Sequence, residues 1–151
     1  MKKLLFIAAA FITGFGAMAQ QKADDVVKVN TEKYSFGKIQ HNVPVTYEFE
    51  ITNISDKPIV IENATAGCGC TTPEVPKAPI APKSTAKLKV AYNAASIAPF
   101  DKEVYVKFAG IPEPKILRIT GQVLDANAWN SYVKSDEYKK TQAAKKTGKM
   151  K

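Results

Sequence analysis

The two cysteines are the residues of this sequence best suited to unusual chemistry, and they lie together in Gly67-Cys68-Gly69-Cys70-Thr71. Two thiols one residue apart can form a local disulfide, exchange disulfides with another molecule, or bind a soft metal ion. A disulfide closing so short a loop stabilises a fold by only about 1.6 kcal/mol of chain entropy, before strain. The pair is therefore interpreted either as a structural disulfide at a glycine-rich bend or as a redox pair.

Redox and metal roles each require further groups beside the cysteines. A reactive thiol needs a helix N-terminus or a nearby cation to lower its pKa, and Lys77 is the nearest following cation in the sequence. Alternate residues of a strand point the same way, so Cys68 and Cys70 could share one Cu(I)-type ion. His41 and Met150 are the only other soft or imidazole ligands after the N-terminal segment, and a histidine in a loop such as that around His41 is typically solvated. The cysteine pair is thus a candidate soft-metal site, but no cofactor is assigned.

Other catalytic patterns are weak. A single histidine in a predicted loop does not assemble a Ser-His-Asp or Cys-His arrangement. Glu48 and Glu50 alternate with apolar residues, which indicates a solvated sheet face rather than the paired carboxylates of a glycosidase. The chain has no phosphate-binding loop motif. These patterns predict a non-enzymatic protein.

The cysteines must be positioned by β-strands, because hydrophobic side chains alternate on both sides of them. Alternation with a period of two is clear in residues 43–53, 86–92, 103–108 and 117–123, and weaker strands are predicted near 34–37, 59–61 and 71–75. Proline lacks a backbone donor, so Pro73, Pro76, Pro79 and Pro82 indicate a sheet edge or an exposed loop. About seven short strands without a helix predict an all-β, immunoglobulin-like antiparallel sandwich over residues 32–124.

The N-terminus predicts export. Lys2 and Lys3 precede an apolar run, and Ala17-Met18-Ala19 has the small-residue pattern of a signal-peptide cleavage site between Ala19 and Gln20. The segment from Leu4 to Ala19, which includes Thr13, Gly14 and Gly16, is too short to span a membrane core of about 30 Å, so residues 1–19 are predicted to be the signal peptide. We therefore expect a periplasmic or extracellular protein, with residues 20–31 as a polar lead-in to the domain.

The C-terminal segment, residues 125–151, carries much of the net charge of +8, with seven lysines and three acidic residues. Nucleic acid is not an expected partner, because the protein is predicted to be exported and shows no pattern of aromatic residues between basic ones. Trp129, Tyr132 and Val133 are spaced as on one face of a helix, either docking on the domain or forming a partner surface at Trp129 and Tyr132. Disorder is predicted for residues 139–151.

Several stretches together resemble the secreted bacterial domain-of-unknown-function family 1573 and, more distantly, the immunoglobulin-like domains of the major sperm protein and ASH/Hydin group. They are Phe36-Gly37-x-Ile39, Phe49-x-Ile51-x-Asn53, Pro58-Ile59-x-Ile61 and Gly67-Cys68-Gly69-Cys70-Thr71. The resemblance implies an immunoglobulin-like sandwich in an exported protein, and the wider group consists largely of binding and assembly modules.

From this the chain is predicted to bind a protein or envelope component, through a sheet edge near the prolines or through the tail. The alternative is a thiol redox or soft-metal site at Cys68 and Cys70. The oligomeric state is left open by the sequence.

Overall fold

The computed structural model describes residues 21–146 as a sandwich of two four-stranded β-sheets followed by two helices. The predicted signal peptide and its cleavage site lie outside the described residues. Residues 147–151, which include Met150, also lie outside them. The strands are β1 (Val27–Val29), β2 (Lys33–Gln40), β3 (Val45–Asn53), β4 (Ile61–Ala66), β5 (Thr71–Glu74), β6 (Thr85–Tyr92), β7 (Pro99–Phe108) and β8 (Lys115–Leu124). The helices are α1 (Ala126–Lys134) and α2 (Asp136–Lys146).

The first sheet has the strand order β1-β3-β6-β5 and the second has the order β2-β8-β7-β4. This arrangement confirms the prediction of an all-β sandwich. The pairing of β2 with β8 is parallel, whereas the other pairs are antiparallel. An antiparallel partner was expected for every strand, but alternating side chains have the same period in both kinds of pair, so the pattern could not distinguish them.

The core lies between the sheets and contains the apolar set of each predicted alternation. The largest fully buried side chains include Phe49 and Leu88 from the first sheet and Phe108 and Leu117 from the second. Glu48 and Glu50 are exposed beside the buried Phe49, as their spacing predicted. Pro73 lies in the edge strand β5, where a residue without a backbone donor is tolerated.

The polar lead-in contributes a strand that the sequence did not predict. β1 pairs with β3, with Val27 opposite Asn53 and Val29 opposite Ile51. Just before β1, Asp24 accepts a hydrogen bond of 2.5 Å from Lys115, whose side chain is only 10% exposed. β1 was missed because three residues are too few to show a period of two.

The start of the tail docks on the second sheet. Tyr132 is buried with 8% of its surface exposed, and Lys38 of β2 lies 4.8 Å from the centre of its ring. The same lysine forms an ion pair of 2.8 Å with Glu137. Trp129 and Tyr138 complete the aromatic cluster around Tyr132. Of the two arrangements expected for this aromatic face, Tyr132 adopts the docked one.

Disorder was predicted from Lys139, but α2 continues to Lys146. The backbone N–H of Tyr138 donates to the Ser135 hydroxyl at the start of this helix, and Glu137 holds it to β2. Composition alone predicted disorder because the ion pair between Glu137 and Lys38 joins residues distant in the sequence. Neither helix in residues 21–146 is long and apolar enough to cross a membrane.

Candidate functional site

Cys68 and Cys70 lie in the short loop that carries the chain from β4, at the edge of the second sheet, to β5, at the edge of the first. Their sulfurs form a disulfide, and their Cα atoms are 5.3 Å apart. The backbone N–H of Thr71 donates to the carbonyl of Cys68, and that of Asn93 donates to the carbonyl of Cys70. The disulfide therefore sits on a connection that is tied to β6 as well as to β5.

The two glycines of this loop are not required by the backbone. Neither Gly67 nor Gly69 has a positive φ, and a Cβ added to either one would meet no atom within 4 Å. The bend predicted here is present, but it does not depend on the conformational freedom of glycine. Both glycines are exposed, so they leave the disulfide uncovered on its solvent side.

The two sulfurs have different surroundings. Cys70 packs against the hydrophobic core, whereas Cys68 lines a shallow cleft of about 310 Å³. The buried hydroxyl of Thr71 lies 3.9 Å from each sulfur, within reach of a weak hydrogen bond. Cys68 is thus the sulfur that a molecule in the cleft would meet first.

The rest of the cleft wall comes from two strands of the second sheet. Asp101, Glu103, Tyr105 and Arg118 lie on its outer face, whereas Lys102 lies on the alternate face of β7. β7 supplies Asp101, Lys102, Glu103 and Tyr105, and β8 supplies Arg118. Arg118 lies directly across from Glu103 in the antiparallel register, which explains why the two side chains meet. Arg118 forms ion pairs with Glu103 and, at 3.4 Å, with Asp101. The Tyr105 hydroxyl donates a hydrogen bond of 2.5 Å to Glu103.

These contacts set the charge states of the cleft wall. Hydrogen bonds from Tyr105 and then Arg118 lower the pKa of Glu103, because both stabilise its carboxylate. The same carboxylate raises the pKa of Tyr105 through its hydrogen bond and its charge, and it raises the pKa of Arg118 in the same way. At neutral pH the wall therefore holds an anionic Glu103, a neutral Tyr105 and a cationic Arg118.

Lys102 differs from Arg118 in having no opposite charge close to it. No carboxylate among residues 21–146 lies within ion-pairing distance of its ammonium group, although Asp101 and Glu103 flank it in the sequence. Adjacent residues of a strand face opposite sides, which separates Lys102 from both acidic neighbours. It is the one cation of the cleft wall that is not offset within the described part of the chain.

Sequence reasoning found the disulfide pair but missed this wall. Glu103, Tyr105 and Arg118 were predicted only as outward-facing positions of two strands. Their proximity to Cys68 depends on the sheet order, which places β7 between β4 and β8. The available signal was the outward polar residues of two predicted strands, but the sequence did not show that these strands are neighbours.

The other candidate residues do not join the cysteines. The His41 ring nitrogen Nε2 contacts the carbonyl of Ala95 at 3.2 Å, and no described contact links it to either sulfur. Within residues 21–146, no three His, Cys, Asp or Glu side chains are grouped as metal ligands. A Cu(I)-type ion needs thiolates, so the disulfide would have to be reduced before Cys68 and Cys70 could bind one.

Comparison with known proteins finds one family of unknown function and several solved structures with a similar fold. The family described as a protein of unknown function, DUF1573, matches residues 27–123. A protein of unknown function from Porphyromonas gingivalis W83 superposes with a TM-score of 0.58 and 14% identity, over 72% of this chain and 51% of that one. The ASH/PapD-like domain 7 of human CEP192 superposes with a TM-score of 0.53 and 8% identity, over 67% of this chain and 87% of that domain. The MSP-domain-like protein SSP-19 of Caenorhabditis elegans superposes with a TM-score of 0.50 and 9% identity, over 62% of this chain and 97% of that protein.

The chain spans about half the length of the Porphyromonas gingivalis protein. No match to a curated protein was found. At these identities the three structures show a shared fold, which confirms the predicted likeness to the MSP and ASH domains.

Proposed function

Since the chain belongs to the protein family of unknown function DUF1573, we propose its function from its own surface. We infer that it is an exported, non-enzymatic binding or assembly module of the cell envelope. The signal-peptide pattern of residues 1–19 supports export, and the MSP- and ASH-like fold supports a binding role by analogy. The partner we propose is an extended polypeptide segment that adds a strand along β4.

The accessibility of β4 is the observation that carries this proposal. β4 forms an edge of the second sheet, and the side chains of Glu62, Asn63 and Thr65 are exposed. An edge strand presents unpaired backbone donors and acceptors to a partner, and β4 contains no proline that would interrupt them. Its ladder with β7 is irregular between Ile61 and Asn63, so the continuous edge runs over residues 63–66.

The other three edges are less suitable. β5 contains Pro73, which removes a backbone donor, and β1 has only three residues. β2 has an irregular ladder after Ser35, and its Lys38 already holds the tail through Tyr132 and Glu137. The predicted partner surface at the tail is also reduced, because Tyr132 is buried. The edge of β4 is therefore the better docking position.

Site-specific crosslinking in the native compartment tests this position. We expect p-benzoylphenylalanine at Thr65 to give a defined adduct, because a strand added to β4 passes beside this side chain. The matched control places the same residue at Lys87, which is exposed on the other sheet. Adducts at both positions, or at neither, contradict strand addition at β4. Mass spectrometry of the adduct then identifies the crosslinked segment.

A second function, a thiol redox or soft-metal site at Cys68 and Cys70, is favoured by one specific observation. Cys68 opens on a cleft that also holds Lys102 and Arg118, and nearby cations are the condition that makes a thiol reactive. Cys68→Ser and Cys70→Ser should each abolish the cellular activity while circular dichroism shows an intact fold. An active double-serine variant would exclude this second function and leave the binding module unaffected.

A further inference from the structure

The different surroundings of Cys68 and Cys70 point to a direction of thiol–disulfide exchange. We propose that a dithiol protein in the cleft is oxidised by this disulfide, that Cys68 is the sulfur attacked, and that Lys102 stabilises the Cys68 thiolate. This inference deepens the second proposed function and rests on it. It does not depend on the β4 edge.

Access determines which sulfur reacts. A thiolate must approach a disulfide sulfur directly, so an uncovered sulfur is attacked in preference to a covered one. Both cysteines are half-buried, but Cys68 lines the cleft, whereas Cys70 packs against the core. The cleft position of Cys68 and the core contact of Cys70 both indicate that Cys68 is the sulfur attacked.

The exchange proceeds in two balanced steps. A substrate thiolate attacks Cys68 Sγ, the Cys68–Cys70 bond breaks, and Cys70 leaves as a thiolate while a substrate–Cys68 disulfide forms. The second substrate thiolate attacks the substrate sulfur of this mixed disulfide and releases the Cys68 thiolate. The substrate leaves as a disulfide, and its two electrons and two protons remain on Cys68 and Cys70 as thiols.

The charges of the cleft favour the second step. A leaving thiolate departs faster when its pKa is low, and a neighbouring cation lowers that pKa. Arg118 is offset by Glu103 and Asp101, whereas Lys102 forms no such pair within residues 21–146. Lys102 is therefore the cation that we assign to stabilising the Cys68 thiolate. The buried Thr71 hydroxyl, 3.9 Å from each sulfur, can donate to either thiolate.

Single-cysteine variants separate the two sulfurs. In Cys70→Ser the thiol of Cys68 should react with the aromatic disulfide DTNB at least about tenfold faster than the thiol of Cys70 does in Cys68→Ser. Comparable rates, or a faster Cys70, overturn the assignment of the attacked sulfur. If neither thiol reacts in the folded variants, the redox function itself fails, which distinguishes the two conclusions. Thermal unfolding shows that each variant is folded.

Lys102 is tested in the Cys70→Ser background. Lys102→Gln should raise the pKa of the Cys68 thiol, measured from thiolate absorbance against pH, and Lys102→Arg should restore it. Lys87→Gln, on the outer face of the other sheet, is the matched control and should leave that pKa unchanged. An unchanged pKa in Lys102→Gln, or an equal change in the control, overturns the role of Lys102.

Discussion

The outer faces of the two sheets are built by the same alternation but hold their charges differently. On the first sheet, Lys87 of β6 and Glu48 of β3 are diagonal neighbours, since Lys87 lies opposite Glu50, and they form an exposed ion pair of 2.8 Å. On the second sheet, Arg118 and Glu103 also lie on adjacent strands, but Asp101 and Tyr105 join them and the cleft beside Cys68 adjoins them. An isolated surface pair contributes little, whereas a connected group can define a site.

This difference shows that the composition of a face does not indicate its role. Both faces present lysine or arginine beside glutamate, and both pairs lower the pKa of the glutamate. The second sheet also lines the cleft beside Cys68 and packs against α1 through β2 and β8. We therefore look for function on the second sheet, and the following predictions test how far the two faces differ.

The largest expected effect comes from a substitution that distorts the second sheet alone. A Cβ at Gly121 would lie 2.7 Å from the Phe100 ring and 2.8 Å from the Gly37 carbonyl oxygen, so Gly121→Ala forces β2, β7 and β8 apart. We expect a loss of about 1–3 kcal/mol in the free energy of unfolding, as for other overpacked cores. Urea denaturation measures this loss.

Gly67→Ala is the matched control, because a Cβ at Gly67 meets no atom within 4 Å. We expect it to change the free energy of unfolding by less than about 0.5 kcal/mol. Equal losses in the two variants would show that the close approach at Gly121 does not matter.

A smaller effect concerns the tail on the second face. The Asp125 side chain accepts a hydrogen bond of 2.8 Å from the Ala128 backbone N–H and so caps α1. Asp125→Ala should destabilise α1 by about 1 kcal/mol, seen as faster hydrogen exchange of its amides with little change in the sheets. Asn130→Ala, at an exposed position within α1, is the control. Unchanged exchange in Asp125→Ala would mean that docking of Tyr132 alone holds the helix.

The smallest expected effect is on the pKa values of Glu48 and Glu103, which can be compared directly. Glu48 depends mainly on Lys87, so Lys87→Gln should return its pKa close to the ordinary value, with only Lys89 still lowering it. Glu103 keeps its hydrogen bond from Tyr105, so its pKa in Arg118→Gln should stay below the ordinary value. Carbon-13 NMR of the carboxyl groups measures both. A return of the Glu103 pKa to its ordinary value in Arg118→Gln would show that the second face behaves like the first.

The sign of the pH dependence is the same for both glutamates. Each folded-state pKa is lowered, so each contributes stability above the pKa of the unfolded state. That contribution is lost as the pH falls through the lowered folded value. Acid denaturation of Lys87→Gln and Arg118→Gln should therefore begin at a higher pH than in the natural protein.

Features repeated along a strand could be predicted from the sequence, whereas pairings between distant strands could not. The alternation around Phe49, Leu88, Val106 and Ile119 identified four strands and their buried sides. The parallel partner of β2 could not be inferred, because parallel and antiparallel strands share one period. The spacing of Trp129 and Tyr132 predicted a helix face that either docks on the domain or forms a partner surface. The contact of Lys38 with Tyr132 could not be predicted, because it depends on the fold of distant segments.

The candidate site follows the same rule. Cys68 and Cys70 were evident because they are neighbours in the chain. Lys102 and Arg118 were not, since they come close to Cys68 only after β4, β7 and β8 have assembled in order. Local chemistry is thus visible in the sequence, and the charges that tune it are visible only in the fold.

The parallel pairing of β2 with β8 has a consequence for the order in which the protein folds. These strands lie near opposite ends of the domain, and such distant contacts form slowly because a long loop must close first. In a chain that emerges N-terminus first, Phe36 and Ile39 have no sheet partner until β8 has emerged. We expect the second sheet to form in one late event, and a nascent chain stopped before residue 115 to remain open to proteases and chaperones.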